Sequence, residues 1–343
     1  MSASAALPIS PPATSGKSIP PKFDPPPTFS LQRASSVVRQ LGSFFALTVI
    51  VGAVTTISFA GDSVPPAPVR VKGSFVIAAI CKDGIIVASD SRGMLKDRQG
   101  RRLAYYDTNQ KIFPIGDKLI ADTGYASLND PNISFLAALM LRFANDPFSQ
   151  VEVDRLPNSY FSFATSLLPS LGAESARLQT LVFAGFTRNR PKLCIYRGES
   201  ARTLGCSAAG YVSSPKERIP GLQNVQNMSF SEAARVMRKT IDDYAAAVQP
   251  GLVGGPVVIR TITHSGSQWF GSHPDWPSWS SFTDLADDYK ANHVSFELMP
   301  GVVKTQLDAL IREGDAWARA GRVASGPRTS GNAPVIDSSL TRP

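Results

Sequence analysis

A chain of 343 residues, 43% hydrophobic and 18% charged, carries ample apolar material for a core, as one large domain or one domain with tails. Its net charge of +8 is no nucleic-acid signature, because residues 1–73 carry +4 and the rest of the chain the other +4, with no clustered basic face. Three cysteines (Cys81, Cys194, Cys206) and three scattered histidines (His264, His273, His293) give neither a disulfide framework nor metal-ligand spacing, so no metal and no cofactor is expected.

Residues 1–40 form a Pro-rich leader whose composition predicts disorder. Arg33 and Arg39 precede an uncharged run, Leu41 to Ala60, of about 20 residues, the length of a bilayer-spanning helix. Ser58-Phe59-Ala60 has small residues at alternate positions, as a signal peptidase prefers. Segment 41–60 is therefore either a signal peptide or a retained membrane anchor, and the charges before it place the following domain outside the cytoplasm. Residues 61–73 read as a Pro-rich linker or propeptide.

Two apolar runs, Ser74–Cys81 and Gly84–Ser89, fold back over Lys82-Asp83-Gly84 as a buried hairpin. Cys81, and Cys194 further on, sit in such runs and read as small buried hydrophobes. Residues 93–109 read as a polar, basic loop, and Lys111–Asp122 as a second hairpin turning at Gly116-Asp117. Asp130-Pro131 predicts a helix start, with Ile133, Leu136, Met140 and Phe143 as its apolar face. A second helix covers Tyr160–Leu168, and strands follow at Leu178–Phe186 and Lys192–Arg197. Ser229 and Glu232 form a capping box ahead of a helix with Met237, Ile241, Tyr244 and Val248 on one face. Gly254-Gly255 precede a last strand, Pro256–His264, and residues 271–343 form a C-terminal extension, helical around Val302–Arg319. Strand pairs, helices, strand pairs, helix and strand in that order predict a layered α+β domain over 74–270.

Asp90-Ser91-Arg92, then Lys111-Ile-Phe-Pro-Ile and Thr123-Gly124, resemble the β-subunit family of the proteasome, a branch of the N-terminal nucleophile hydrolases. The likeness is clearest over residues 73–145. It implies a four-layer αββα sandwich and a nucleophile exposed when the precursor cuts itself after a Gly. Counted back from Asp90, that nucleophile falls on Ser74, with Gly73 as the processing residue. A Ser hydroxyl needs a base within hydrogen-bond reach, and a freed α-amine with a reference pKa of about 7.7–8.0 is suited to the task.

By the same resemblance, Lys111 is the catalytic lysine, Asp90 the carboxylate that holds it, and Arg92 the accompanying basic residue. Gly124 supplies the oxyanion N–H, and Asp122 shapes the substrate pocket, favouring a basic side chain. The sequence departs from the family in a longer loop between Asp90 and Lys111, and in lacking the Asp and Ser that the family places before the paired glycines. Ser207 stands near the place of another supporting Ser. The expectation is an autoprocessed Ser hydrolase cleaving amide bonds, with peptides ahead of small amides. The alternatives are a catalytically silent binding or scaffold domain and an acylase on non-peptide amides. The expected partners are a peptide or small amide substrate, with membrane association through 41–60, no nucleic acid, and homo-oligomer formation left open.

Overall fold

The computed structural model describes residues 67, 70–72, 74–167, 180–197, 202–247, 252–271, 276 and 279–325. The leader, the hydrophobic segment 41–60 and Gly73 lie outside the described residues. No helix among the described residues is long and apolar enough to cross a membrane.

The chain is mixed α+β, with three antiparallel sheets among the described residues. The opening hairpin pairs β2 (Val76–Cys81) with β3 (Gly84–Ser89), Cys81 opposite Gly84. On one edge of this sheet β11 (Tyr211–Ser214) pairs with β2; on the other, β12 (Val258–Thr263) joins β3 and is followed by β13 (Gly266–Trp269). The second hairpin joins β6 (Ile112–Ile115) to β7 (Lys118–Asp122) through Gly116, whose φ of 59° is the left-handed value such a turn needs. β7 continues into a second sheet with β8 (Thr180–Thr187), β9 (Arg190–Arg197) and β10 (Arg202–Ser207).

The absence of polar alternation in β2 and β3 has a direct packing cause. Val76, Ala78, Ile80, Ile85 and Val87 share one core with Leu119, Ala121, Val182, Ala184 and Leu193 of the second sheet. The alternate residues Ile77, Ala79, Ile86 and Ala88 share another with Met237 and Ile241 of the helix α3 (Phe230–Ala247). The far face of the second sheet is covered by α1 (Leu136–Ala144) and α2 (Leu156–Leu167) through Leu139, Met140, Phe143 and Tyr160. Each fully buried side chain of this size contributes about 1.5–3 kcal/mol, so both hairpins are anchored on both faces.

Several expectations hold and others need correction. Glu232 accepts the Ser229 N–H (2.7 Å) while Ser229 Oγ accepts the Glu232 N–H (3.3 Å), the reciprocal cap the sequence predicts. Asp130 does not open a helix. Its carboxylate accepts the amides of Asn132 (2.8 Å) and Ile133 (2.9 Å) in a turn, and α1 begins only at Leu136.

Residues 93–109 are not a loop but contain β4 (Gly93–Lys96) and β5 (Arg102–Tyr106), which form a third sheet with β1 (Arg70–Lys72) and β14 (Glu297–Leu298). The C-terminal extension covers this sheet. Leu95, Leu103 and Tyr106 share a core with Trp279, Phe282 and Leu285 around α4 (Phe282–Lys290), and with Leu307, Leu310 and Trp317 of α5 (Lys304–Ser325).

Cys194 is also more than a buried hydrophobe. It faces Cys206 directly across the β9–β10 pair and is disulfide-bonded to it, while Cys81 stays a buried free thiol, its pKa pushed up to about 12 by burial and by Asp83. A closed loop of this length restricts the unfolded chain by about 3 kcal/mol. In protein recovered from an oxidising compartment, alkylation of the denatured, unreduced chain should tag one cysteine, Cys81, and reduction should raise the count to three. Three tags before reduction would remove the bond.

Candidate active site

The hairpin brings the start of β2 beside the end of β3, and this register builds the site. Asp90 N–H donates to the Phe75 carbonyl (3.2 Å), and Phe75 N–H donates back to Asp90 Oδ1 (2.7 Å). The same oxygen accepts Lys111 Nζ (2.7 Å), and both side chains of this ion pair are 0% exposed. Lys111 arrives from the second sheet, where its carbonyl accepts the Asp122 N–H at 2.9 Å. The peptide unit that links Ser74 to Phe75 thus shares one carboxylate oxygen with the Lys111 ammonium. Ser74 itself is half-buried.

The other oxygen, Asp90 Oδ2, accepts two amides, Gly254 N–H (3.1 Å) and Arg92 N–H (3.3 Å). Asp90 therefore receives four donors, three of them backbone, so its buried oxygens are fully hydrogen-bonded. Against Asp90, burial is the larger influence on Lys111 and lowers its pKa below the ordinary lysine value.

Arg92 reaches this site through its backbone only. Its guanidinium grips Asp107 with two bonds (2.6 and 2.8 Å) and lies 3.9 Å over the Tyr105 ring. Its part is to fix the strand end, and the polar run ahead of Lys111 offered no signal for Asp107. Gly254 and Gly255 also gain a reason. A Cβ on Gly254 would stand 2.8 Å from the Arg92 guanidinium carbon, and one on Gly255, at φ 70°, would stand 2.6 Å from Ser91 Oγ. The sequence marks the pair as glycines but not that Gly254 lends its amide to Asp90.

Asp122 and Gly124 share one role where two separate ones were expected. Gly124 N–H, the oxyanion donor by resemblance, donates to Asp122 Oδ1 at 2.9 Å. Asp122 is 1% exposed, so its carboxylate faces this amide and no open pocket. Burial raises its pKa to about 6, opposed by the Gly124 amide, by Lys111 and by the Thr123 amide. Between them, Thr123 Oγ1 shares a hydrogen bond with Ser214 Oγ (2.7 Å) and ties the two large sheets together at this point. Ser207 is engaged in its own turn, its Oγ donating to the Ala209 carbonyl at 2.6 Å, which leaves Ser214 as the serine that β11 brings to Thr123.

The arrangement offers a buried cation and a carboxylate bonded to the amide after Ser74, and a Gly124 amide held by a protonatable acid. Ser74, where the sequence predicts the strand to start, lies two residues ahead of β2. No family model matches this chain, and no curated protein matches it.

Proposed function

We propose that this protein is an N-terminal Ser hydrolase of the proteasome β-subunit type, freed by cleavage between Gly73 and Ser74 and cutting amide bonds through an acyl-enzyme on Ser74. The observation that carries the reading is the single oxygen, Asp90 Oδ1, which accepts both Lys111 Nζ and the amide following Ser74, at 2.7 Å each. An ammonium and a carboxylate held one residue from Ser74 support a role in tuning the proton that leaves its hydroxyl for the freed amine. The helix pair, two facing sheets and α3 follow the order of an αββα sandwich, which supports the same reading. The substrate is a peptide, with small amides next, and no cofactor enters the chemistry.

The Cys194–Cys206 bond favours a domain working outside the reducing cytoplasm, as an export signal or anchor at 41–60 would require. A second reading is a silent binding domain on the same scaffold. It is favoured by one observation, that the Gly124 amide is already occupied by Asp122. Intact mass and terminal sequencing of the protein made from the full chain separate the two. The hydrolase reading expects a mature chain beginning at Ser74, and a Ser74→Ala variant left joined at that bond. A folded wild-type chain with Gly73 still attached to Ser74 would support the binding domain.

A further inference from the structure

The β8–β9 turn stands at the other end of its sheet from the Asp90–Lys111 pair. Thr180, where β8 begins, accepts the Thr123 N–H through its carbonyl (2.9 Å), whereas Thr187, where β8 ends, borders a cavity. The strand between them spans roughly 23 Å at about 3.3 Å per residue.

The cavity measures about 530 Å³, within the range of small-molecule sites. Arg155 lines it from the segment before α2, Arg188 from the turn, and Arg190 and Lys192 from β9, together with Glu152 and Asp154. Four cations against two carboxylates leave a formal excess of +2. None of the four takes part in an ion pair among the described residues, although both carboxylates share their cavity.

A further observation points to a ligand. Thr187 is 9% exposed, and its hydroxyl is buried with no hydrogen-bond partner among the described residues. Arg188 and Asn189 have φ of 46° and 62°, so an arginine occupies a left-handed turn position where Asn or Gly is the favoured residue. The two-residue turn between the paired Thr187 and Arg190 accounts for both positive φ values, and the unsatisfied buried hydroxyl beside the placed arginine is what marks a binding site.

We propose that this cavity binds a small phosphorylated ligand, its anionic oxygens held by Arg155, Arg188, Arg190 and Lys192. Arginine forks suit phosphate oxygens, and the Thr187 hydroxyl adds a donor once its side chain turns to the ligand. Glu152 and Asp154 accept from hydroxyls on the rest of the molecule. Their presence in a concave wall disfavours an anionic membrane surface, which would meet them with like charge.

Calorimetric titration of the full chain with sodium pyrophosphate tests this, with sodium chloride at matched ionic strength and phosphatidylglycerol vesicles as separate arms. The expected result is saturable one-site binding of pyrophosphate, absent with chloride, and weakened at least tenfold in Arg155→Gln and in Arg190→Gln. Both side chains are exposed, so the variants should melt with the wild type in the absence of pyrophosphate, which separates lost binding from lost folding. No saturable binding, equal binding by folded variants, or binding to the vesicles alone would overturn the proposal. The cavity shares no residue with the Asp90–Lys111 pair, so this outcome is independent of the hydrolase reading.

Discussion

Asp90→Ala should cost more stability than any other single change at the site, about 5 kcal/mol, while Lys111→Met should cost about 3 kcal/mol and leave a folded chain. The order follows from what each substitution strands. Removing the Asp90 carboxylate leaves Lys111 Nζ and the amides of Phe75, Gly254 and Arg92 without their acceptor. Removing the ammonium leaves Asp90 its three backbone donors, and the buried Lys111 side chain is replaced by an apolar one of similar length. A domain whose total stability is about 5–15 kcal/mol survives the second loss more readily than the first. Urea denaturation of both variants checks the ranking. Equal, small losses would mean that the pair is not the keystone of this corner. Lys111→Met is then the useful probe of chemistry, because it separates a lost activity from a lost fold.

Asp122→Asn is expected to stabilise the protein by roughly 3 kcal/mol at neutral pH and to change little near pH 3.5. The sign follows from burial, which raises the folded-state pKa from 3.8 to about 6. Between these values the folded chain holds a proton that the unfolded chain has released, so stability falls as pH rises through that window. At about 1.36 kcal/mol per unit the loss is roughly 3 kcal/mol, complete above the folded pKa. The amide keeps an oxygen for Gly124 N–H but has no charge to bury. Unfolding free energies at pH 3.5, 5 and 7.5 should therefore fall for the wild type and stay flat for the variant. Parallel curves would show that Asp122 does not bury a charge. In the hydrolase reading a different variant, Asp122→Ala, which removes the acceptor altogether, has a consequence of its own. It frees the Gly124 amide, and a single oxyanion donor is worth about 10²–10³ in rate.

The parts of this structure that can be read from sequence are those fixed by neighbours in the chain. Lys82-Asp83-Gly84 specifies its hairpin locally, and the hairpin then obliges Asp90 to return beside Phe75, because the register pairs Val76 with Ser89. Ser229 and Glu232 likewise cap α3 with no help from afar. Elements stabilised by distant partners were not legible. β4 and β5 carry Lys96, Arg98, Arg101 and Arg102 around their turn, and only the burial of Leu95, Leu103 and Tyr106 under α4 and α5 makes them strands. Asp130 followed by Pro131 has the local chemistry of a helix start, yet its carboxylate is consumed by a turn, and Ser127 bridges to Phe135 before α1 begins.

Within the site, Asp90 and Lys111 were visible through a resemblance in residue order and spacing, and they meet in the fold. The Gly254 amide and Asp107 depend on chain approaches that spacing does not encode, whereas the capture of Gly124 by Asp122 is a local turn two residues long that the resemblance, by giving the two residues separate roles, hid. The same holds for the disulfide, since Cys194 and Cys206 become partners only once the β9–β10 register sets them opposite each other.

Covalent labelling with an acylating β-lactone, followed by peptide mapping of the intact adduct, tests the chemistry at Ser74 most directly. The expected adduct is a single acyl group on Ser74 at the start of the mature chain, lost in folded Lys111→Met. A correctly folded, fully processed protein that takes no label, or takes it equally with and without Lys111, would contradict a nucleophile tuned by the Asp90–Lys111 pair.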